Sequence, residues 1–319
     1  MKCVITGGAG FIGSELAHTL IEEGHEVTIL DNLSTGSQYN IPEKANFIRV
    51  DIAQDIPYMY LKRIENYDVL FHLAAVTKVE ESIHNPLETH NNNITGTLNV
   101  LNIVKGAKIK RFILSSSCSV YGQSKEFPTP ETSQPKPLSP YALSKLVGEQ
   151  YSALFAILYG IETVCLRYAN VYGGKQPTEG AYCNVLGIFA NQLQNDQVMT
   201  IVGDGKQTRD YIHVSDVVRA NIQAATSNSV GKADIINIGS GIEYSVNSVA
   251  SMFGGDTTNI APRLEPKKAL LNSKKASKLL GWKAEIKLKN WIKEYKEKLG
   301  LNAKKKRTRK KSEQSKSKV

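Results

Sequence analysis

Three glycines at fixed spacing, Gly7, Gly10 and Gly13, follow directly on the apolar run from Lys2 to Thr6 and open an amphipathic segment. A G-x-x-G-x-x-G turn between a strand and a helix leaves few folds open to a chain. Glycine permits the tight turn, the close approach of backbone to a pyrophosphate and the close packing of helix on sheet, and the helix N-terminus attracts the anion. The run Thr6-Gly7-Gly8-Ala9-Gly10-Phe11-Ile12-Gly13 therefore predicts a dinucleotide held at Gly7, Gly10, Phe11, Ile12 and Gly13. A second apolar run ends in Ile29-Leu30-Asp31-Asn32. A carboxylate at that place accepts hydrogen bonds from the adenosine ribose, and its charge repels a 2′-phosphate, so Asp31 and Asn32 favour NAD over NADP.

Short strand-like runs recur at Ala45–Arg49, Val69–His72, Arg111–Ser115, Glu162–Tyr168 and Ile235–Ile238. Helical patterns at Ser14–Glu23 and Asn93–Gly106 lie between the early ones. Several runs are apolar without strict alternation, as expected of strands covered on both faces. Strand-helix alternation predicts right-handed βαβ units and an α/β fold, a doubly wound parallel sheet of Rossmann type. After Tyr172 the texture changes to glycine and polar residues, followed by a helix at Val185–Asn195, a strand at Met199–Val202 and the turn Gly203-Asp204-Gly205. The expected organisation is an NAD-binding domain over 1–172 with a return to the sheet near 203–240. A smaller C-terminal substrate-binding lobe covers mainly 173–301, and a basic tail 302–319.

The net charge of +10 is concentrated in that tail, where nine Lys and Arg stand against Glu313 alone. Such a composition cannot bury a core and predicts disorder. Contact with nucleic acid or an anionic surface and a purely solubilising role are both open for it. The rest of the chain has the balance of an ordinary soluble enzyme, 41% hydrophobic overall. It lacks a run of 18 apolar residues, so no membrane span is expected. The immediate entry into a strand leaves no room for a signal peptide, and a cytoplasmic location is expected. Cys3, Cys118, Cys165 and Cys183 lie in or near apolar runs without metal or disulfide spacing, which predicts buried reduced thiols. His72, His90 and His213 read as structural, and no metal site is expected.

Tyr141-Ala142-Leu143-Ser144-Lys145 places a phenol and an ammonium at i and i+4, on one helical face. Such a pair also arises on any amphipathic helix. If the two meet, the ammonium favours the phenolate and lowers its pKa toward a useful range for proton transfer. A serine-rich turn, Ser115-Ser116-Ser117-Cys118-Ser119-Val120-Tyr121-Gly122, runs off a strand end, where ligands bind in such sheets. With these motifs the chain resembles the extended short-chain dehydrogenases, in particular the NAD-dependent nucleotide-sugar epimerases and dehydratases, and among them the UDP-hexose 4-epimerases. The resemblance covers roughly Met1 to Leu301. It also rests on Asp51-Ile52, His72-Leu73-Ala74-Ala75, Asn93 to Thr97, Arg167-Tyr168-Ala169-Asn170-Val171-Tyr172-Gly173, Gly203 to Val214, and Leu280-Gly281-Trp282.

The resemblance implies a division of labour. Asp51 and Ile52 flank the adenine, and Ala74, Ala75 and Asn93 line the cofactor site. Lys145 holds the nicotinamide ribose, Ser117 contacts the sugar, and Tyr141 is the acid/base. Asn170, Asn184, Val185, Arg209 and Glu265 meet the substrate, with Arg209 suited to a diphosphate; a salt bridge to Asp210 is its plainer reading. Counting back from Trp282, Ala269 falls where relatives gate the C2 substituent of the sugar, and a small residue there admits an N-acetyl group. A homodimer through helices that include the Tyr141 helix is implied as well. Ala169, Gly174-Lys175 and Asn272 depart from the usual pattern.

Dehydrating relatives carry an acidic pair just after the Ser117 position, and decarboxylating ones a glutamate at the Ser119 position. This chain has Cys118 and Ser119. The expected reaction is therefore 4-epimerisation of a UDP-sugar, with UDP-glucose and UDP-galactose as the first pair. A UDP-uronate epimerase or another NAD-dependent sugar-nucleotide oxidoreductase remains the alternative class, and a non-catalytic nucleotide sensor a third.

Overall fold

The computed structural model describes residues 1–176, 183–263 and 265–301. Expectations for the basic tail lie outside the described residues. Seven strands form one fully parallel sheet: Lys2–Thr6 (β1), Glu26–Asp31 (β2), Asn46–Arg49 (β3), Val69–His72 (β4), Arg111–Ser117 (β5), Glu162–Tyr168 (β6) and, after three strands of a second body, Lys232–Ile238 (β10). Their order is β10-β6-β5-β4-β1-β2-β3. The winding reverses between β1 and β4, and the crevice outside the carboxyl ends of those strands is where a doubly wound sheet binds ligands.

The strand sequences look continuously apolar because helices cover both faces. In β1, Cys3 and Ile5 pack to one side with Leu16, Ala17 and Leu20 of helix Phe11–Glu22 (α1). Val4 packs to the other side with Leu70, Phe112 and the residues Val100, Leu101 and Val104. All three β1 side chains are fully buried. Each such residue contributes about 1.5–3 kcal/mol relative to exposure.

Helices Tyr58–Arg63 (α2), Val79–His84 (α3) and Pro86–His90 (α4) lead to Gly96–Gly106 (α5). The sequence predicts regular helix from Asn93. Instead Asn91–Thr95 forms a wider π-helical turn before α5, which lets Asn93 face inward. Helix Pro140–Tyr159 (α6) has clear start and stop signals. Ser139 Oγ accepts the Ala142 N–H at 3.2 Å, Pro140 occupies the first turn, and Gly160 closes the helix in a left-handed conformation.

The second body holds Asn170–Tyr172 (β7), helix Val185–Gln194 (α7), Met199–Val202 (β8) and Thr208–His213 (β9). The chain then returns to the large sheet through helix Val214–Thr226 (α8) and β10. It leaves again into Glu243–Ser245 (β11), helix Val246–Phe253 (α9), Thr257–Ile260 (β12) and Lys268–Ala269 (β13), and ends in helices Lys274–Leu280 (α10) and Leu288–Lys298 (α11). Strands β7, β11 and β13 all pair with β9. Tyr172, Phe189, Tyr211, Phe253 and Trp291 form the core of this lobe. The boundary in space thus departs from the one in sequence. Tyr172 belongs to the lobe core, whereas Ala276, Leu280 and Trp282 pack into the core of the large sheet.

Candidate active site

The glycine turn is shaped by contact as well as by conformation. Gly7 has φ +71°, and a Cβ there would lie 2.7 Å from the Ala74 amide nitrogen and 2.8 Å from its Cα. The β1 turn is therefore pressed against the end of β4, and only glycine fits. Gly10 caps α1, and its N–H donates to the Gly7 carbonyl at 3.1 Å. Gly13 is buried against the Gly7–Gly8 backbone. This cradle and the N-terminus of α1 fit a pyrophosphate, with Phe11 and Ile12, both half-buried, in its first turn.

Asp31 is nearly buried at the end of β2. Its carboxylate accepts the Ala9 N–H at 2.9 Å and the Leu33 N–H at 2.8 Å. It braces the phosphate turn while keeping lone pairs for a ribose. The side chain of Asn32 accepts the Ser34 N–H. Asp51 caps the Ala53 N–H at 2.9 Å, and Ile52 is buried beside Gly96. Ala74 and Ala75 line the exit of β4, half-exposed. The residues present therefore fit NAD.

Asn93, expected to line the cofactor site, is buried beside the exit of β4. Its carbonyl accepts the Val76 N–H at 2.8 Å, and its amide donates to the Val76 carbonyl at 2.9 Å and to Ser144 Oγ at 3.0 Å. These bonds clamp the β4 exit to α6. His72 is a second brace that the glycine motif did not reveal. It bridges Thr6 Oγ1 at 2.7 Å and Thr97 Oγ1 at 2.9 Å, and burial pushes its pKa down to about 3, so it stays neutral. His90 is exposed, contrary to the structural role expected from sequence.

Strand β5 extends two residues beyond the predicted end, because Ser116 and Ser117 still pair with Arg167 and Tyr168 of β6. Ser117 thus sits on a strand rather than in a loop. Its Oγ accepts both the N–H (3.1 Å) and the hydroxyl (2.9 Å) of Ser119. Its own proton is left to be donated elsewhere. Across from it, Tyr141 and Lys145 face inward from α6. Lys145 Nζ donates to the Ser115 carbonyl at 2.8 Å and lies 5.9 Å from the Tyr141 ring centre.

Burial pushes the Tyr141 phenol up to about 12, the Ser117 hydroxyl pulls the other way, and the ammonium does not overcome that burial. The lowering of the Tyr141 pKa expected from the i, i+4 spacing is therefore not produced by the protein alone. The physical reason is that burial of the phenol outweighs what is near it: the Lys145 ammonium, itself buried with its pKa lowered to about 8, lies 5.9 Å from the ring centre and donates to the Ser115 carbonyl.

Behind Lys145 lies a buried ion pair that sequence reasoning passed over. Glu149 accepts Arg167 Nε at 2.8 Å and Nη2 at 2.6 Å, and Ser116 Oγ at 2.5 Å. Both charged side chains are 2% exposed, so removing one would cost about 3–5 kcal/mol through the other left unpaired. Arg167 lies 4.6 Å over the Tyr121 ring. The available signal was the spacing of Glu149, one turn beyond Lys145.

The lobe brings Asn170, Arg209 and Ala269 to one small sheet, with Asn184 and Val185 at the start of α7. Asn170 opens β7 and donates to the Asp210 carbonyl at 3.0 Å. Arg209 is paired with Glu265 at 2.6 Å, not with Asp210, and also donates to the Thr208 carbonyl. Asp210 is buried and accepts from the Ser240, Gly241 and Leu271 N–H groups and from Ser240 Oγ. Ala269 is the register partner of Arg209, so the two share a face.

The Asn184 side chain is occupied. It accepts the Gly187 N–H as the cap of α7 and donates to the Val171 carbonyl and to Gln176. Val185 opens α7, where first-turn N–H groups have no partner within the helix. Arg263, which the motifs did not single out, reaches Glu80 of α3 at 3.7 Å and Glu265 at 3.9 Å, tying the lobe to the large sheet's side.

The departures from the expected pattern are absorbed locally. Ala169 is buried, its N–H on the Ile238 carbonyl. Lys175 pairs with Glu15, and Asn272 accepts the Lys274 N–H at the start of α10. Cys3 and Cys165 are buried in strands, whereas Cys118, in the turn after β5, and Cys183 are half-buried. Among the described residues no helix is long and apolar enough to cross a membrane.

Comparison with known proteins gives one consistent answer. The model of a family described as "NAD dependent epimerase/dehydratase family" matches residues 3–239. A putative UDP-glucose 4-epimerase of Methanocaldococcus jannaschii is 41% identical over 298 residues, 91% of this chain and 95% of that protein. The solved UDP-glucose 4-epimerase of Thermotoga maritima with UDP-glucose has a TM-score of 0.87 and 36% identity, covering 93% of this chain and 99% of that one. The UDP-glucuronic acid 4-epimerase of Bacillus cereus, solved with UDP-glucuronic acid and NAD, has a TM-score of 0.85 and 30% identity, covering 94% and 99%.

Proposed function

The chain belongs to the NAD-dependent epimerase/dehydratase family, as an epimerase of the extended short-chain dehydrogenase type, and on that premise we propose that it interconverts UDP-glucose and UDP-galactose by transient oxidation at C4. The observation that carries this reading is the single acid/base set. Ser117 and Tyr141 face one another, Lys145 stands one turn away, and the two residues after Ser117 are Cys118 and Ser119. No carboxylate stands in those two positions for chemistry at C5 or C6.

Gly7, Gly10, Gly13, Asp31 and the Ala74–Ala75 segment hold NAD, and Lys145 orients its ribose. Bound NAD supplies the acceptor for the C4 hydride and, oxidised, a positive ring that favours the Tyr141 phenolate. Tyr141 takes the O4 proton and gives it back. Ser117 hydrogen-bonds O4 and relays by giving its own hydroxyl proton to Tyr141 as it takes the O4 proton, one of the two bonds it accepts from Ser119 yielding to O4. Arg209 and the first turn of α7 at Val185 anchor the diphosphate, with Glu265 holding the guanidinium until substrate arrives. The anchored 4-keto sugar then turns over and presents its other face.

Incubation with UDP-glucose, UDP-galactose, UDP-glucuronate and the UDP-N-acetylhexosamines, with products identified by NMR, tests the reading. Conversion of uronates alone would transfer the assignment to the uronate epimerases.

Ala269 sets sugar size in this account. Its short side chain, on the face shared with Arg209, leaves room for a C2 N-acetyl group. Ala269→Tyr is expected to lower kcat/KM for UDP-N-acetylglucosamine by about 10-fold or more, the scale of filling a pocket, while sparing UDP-galactose. Equal rates on both sugars before and after would remove this role.

The same reading includes a homodimer. Leu143, Leu154, Ile157 and Leu158 form an exposed stripe on α6, opposite the buried face of Lys145 and Glu149, and Ile83 and Leu87 of the adjoining α3 and α4 are exposed too. Leu154→Glu with Ile157→Lys is expected to yield a monomer by sedimentation; an unchanged mass would place the dimer face elsewhere.

A further inference from the structure

We infer that Glu149 is a positioning residue of the reaction, holding the end of β5 against α6 so that Ser117 and Lys145 keep their places around Tyr141. The inference rests on the epimerase reading and extends it to a residue that touches neither substrate nor cofactor.

Tyr141, Lys145 and Glu149 are spaced one turn apart on α6, and Lys145 and Glu149 are buried. Three consecutive serines of β5 answer them. The Ser115 carbonyl receives Lys145, the Ser116 hydroxyl donates to Glu149, and Ser117 faces Tyr141. Two hydrogen bonds one helical turn apart thus zip strand to helix beside the reacting serine. Arg167, on the neighbouring β6, grips both oxygens of Glu149 and prevents it from swinging away. Tyr121, following the serine turn, is held under Arg167 and donates to Asn237 at 2.8 Å. Glu149 thus joins α6, the end of β5 and β6 at one carboxylate.

Glu149 also acts on Lys145 by charge. The groups facing Lys145 are Glu149 and Tyr141 on α6 and His72 on β4; Arg167 and Tyr121 stand behind Glu149. His72 and Tyr141 are both neutral near pH 7 in the protein alone, so Glu149 is the counter-charge. Burial lowers the Lys145 pKa and Glu149 raises it. Removing the carboxylate should therefore let Lys145 lose its proton at lower pH.

Three variants test this in the NAD-loaded protein: Ser116→Ala, which keeps the ion pair, Glu149→Gln, and Glu149→Gln combined with Arg167→Met, which removes the guanidinium that the single variant would leave buried and unpaired, should that variant fail to fold. Lys145 is titrated by NMR of ε-carbon-labelled lysine, its signal identified by loss in Lys145→Met, and kcat and KM are followed against pH. In the carboxylate variants the Lys145 titration and the alkaline limb of kcat are expected to move down by about one pH unit. Ser116→Ala is expected to lower kcat by about 10-fold with KM little changed and the Lys145 titration unmoved.

An unmoved Lys145 titration in the carboxylate variants, or a Ser116→Ala kcat within about twofold of the parent, overturns the inference. If the parent turns over no UDP-sugar, the epimerase reading fails while the Lys145 titration still decides the role of Glu149.

Discussion

Tyr141→Phe is expected to lower kcat for UDP-galactose by about 10²- to 10⁴-fold, the usual weight of a positioned acid/base, with NAD content and thermal stability near those of the parent. The phenylalanine keeps the ring and removes only the hydroxyl that exchanges the O4 proton. The size of the effect follows from how little else is available there. His72 is neutral and tied to two threonines, and the buried Asp210 is saturated by four donors. The structure also sharpens what the tyrosine needs. Burial holds the phenol near 12 and Lys145 near 8, so the phenolate depends on positive charge gathered around it. The rate should accordingly fall on the alkaline side as Lys145 deprotonates near pH 8. A Tyr141→Phe variant within about tenfold of the parent would remove Tyr141 from the mechanism.

Gly7→Ala should damage the cofactor cradle and the fold together. The residue needs φ +71°, and the new Cβ would press on the backbone of Leu73 and Ala74 at 2.7–2.9 Å. Strain in that region and overpacking against rigid backbone together cost about 2–5 kcal/mol. The methyl group also pushes apart the β1 and β4 exits that form the cradle, so the variant should purify without NAD and melt earlier than the parent. Gly10→Ala is the control. Gly10 has φ −82°, and its Cβ would meet only the Gly7 carbonyl, at 3.2 Å. NAD content by chromatography and a thermal melt check both. Full NAD occupancy in Gly7→Ala would contradict the cradle.

The large sheet was legible in sequence because its signals are local. Strands buried on both faces read as short apolar runs without strict alternation, and the glycine turn announces the order of β1, α1 and β2. That Tyr141 and Lys145 share one inward face of α6 was legible as a spacing. What could not be read were the partners. Nothing in the sequence says that Lys145 bonds the Ser115 carbonyl, that Arg209 chooses Glu265 over the adjacent Asp210, or that Asn93 and Asn184 spend their amides on backbone. Each of those contacts joins residues far apart in the chain, and each is decided by packing. The same holds for Glu149 and Arg167, 18 residues apart, whose pairing follows from α6 lying across β5 and β6. A single cut in sequence does not describe the lobe, because the chain crosses between the two bodies several times, through α8, β10 and α10.

The central claim is that one proton and one hydride leave and return at C4 while the rest of the sugar is untouched. UDP-galactose incubated with the NAD-loaded protein in D₂O tests it most directly, with products followed by NMR and mass spectrometry. The account predicts UDP-glucose with no deuterium bound to carbon, because the hydride returns from within the site and C5 is never ionised. Deuterium at C5, or a product other than UDP-glucose, would contradict it.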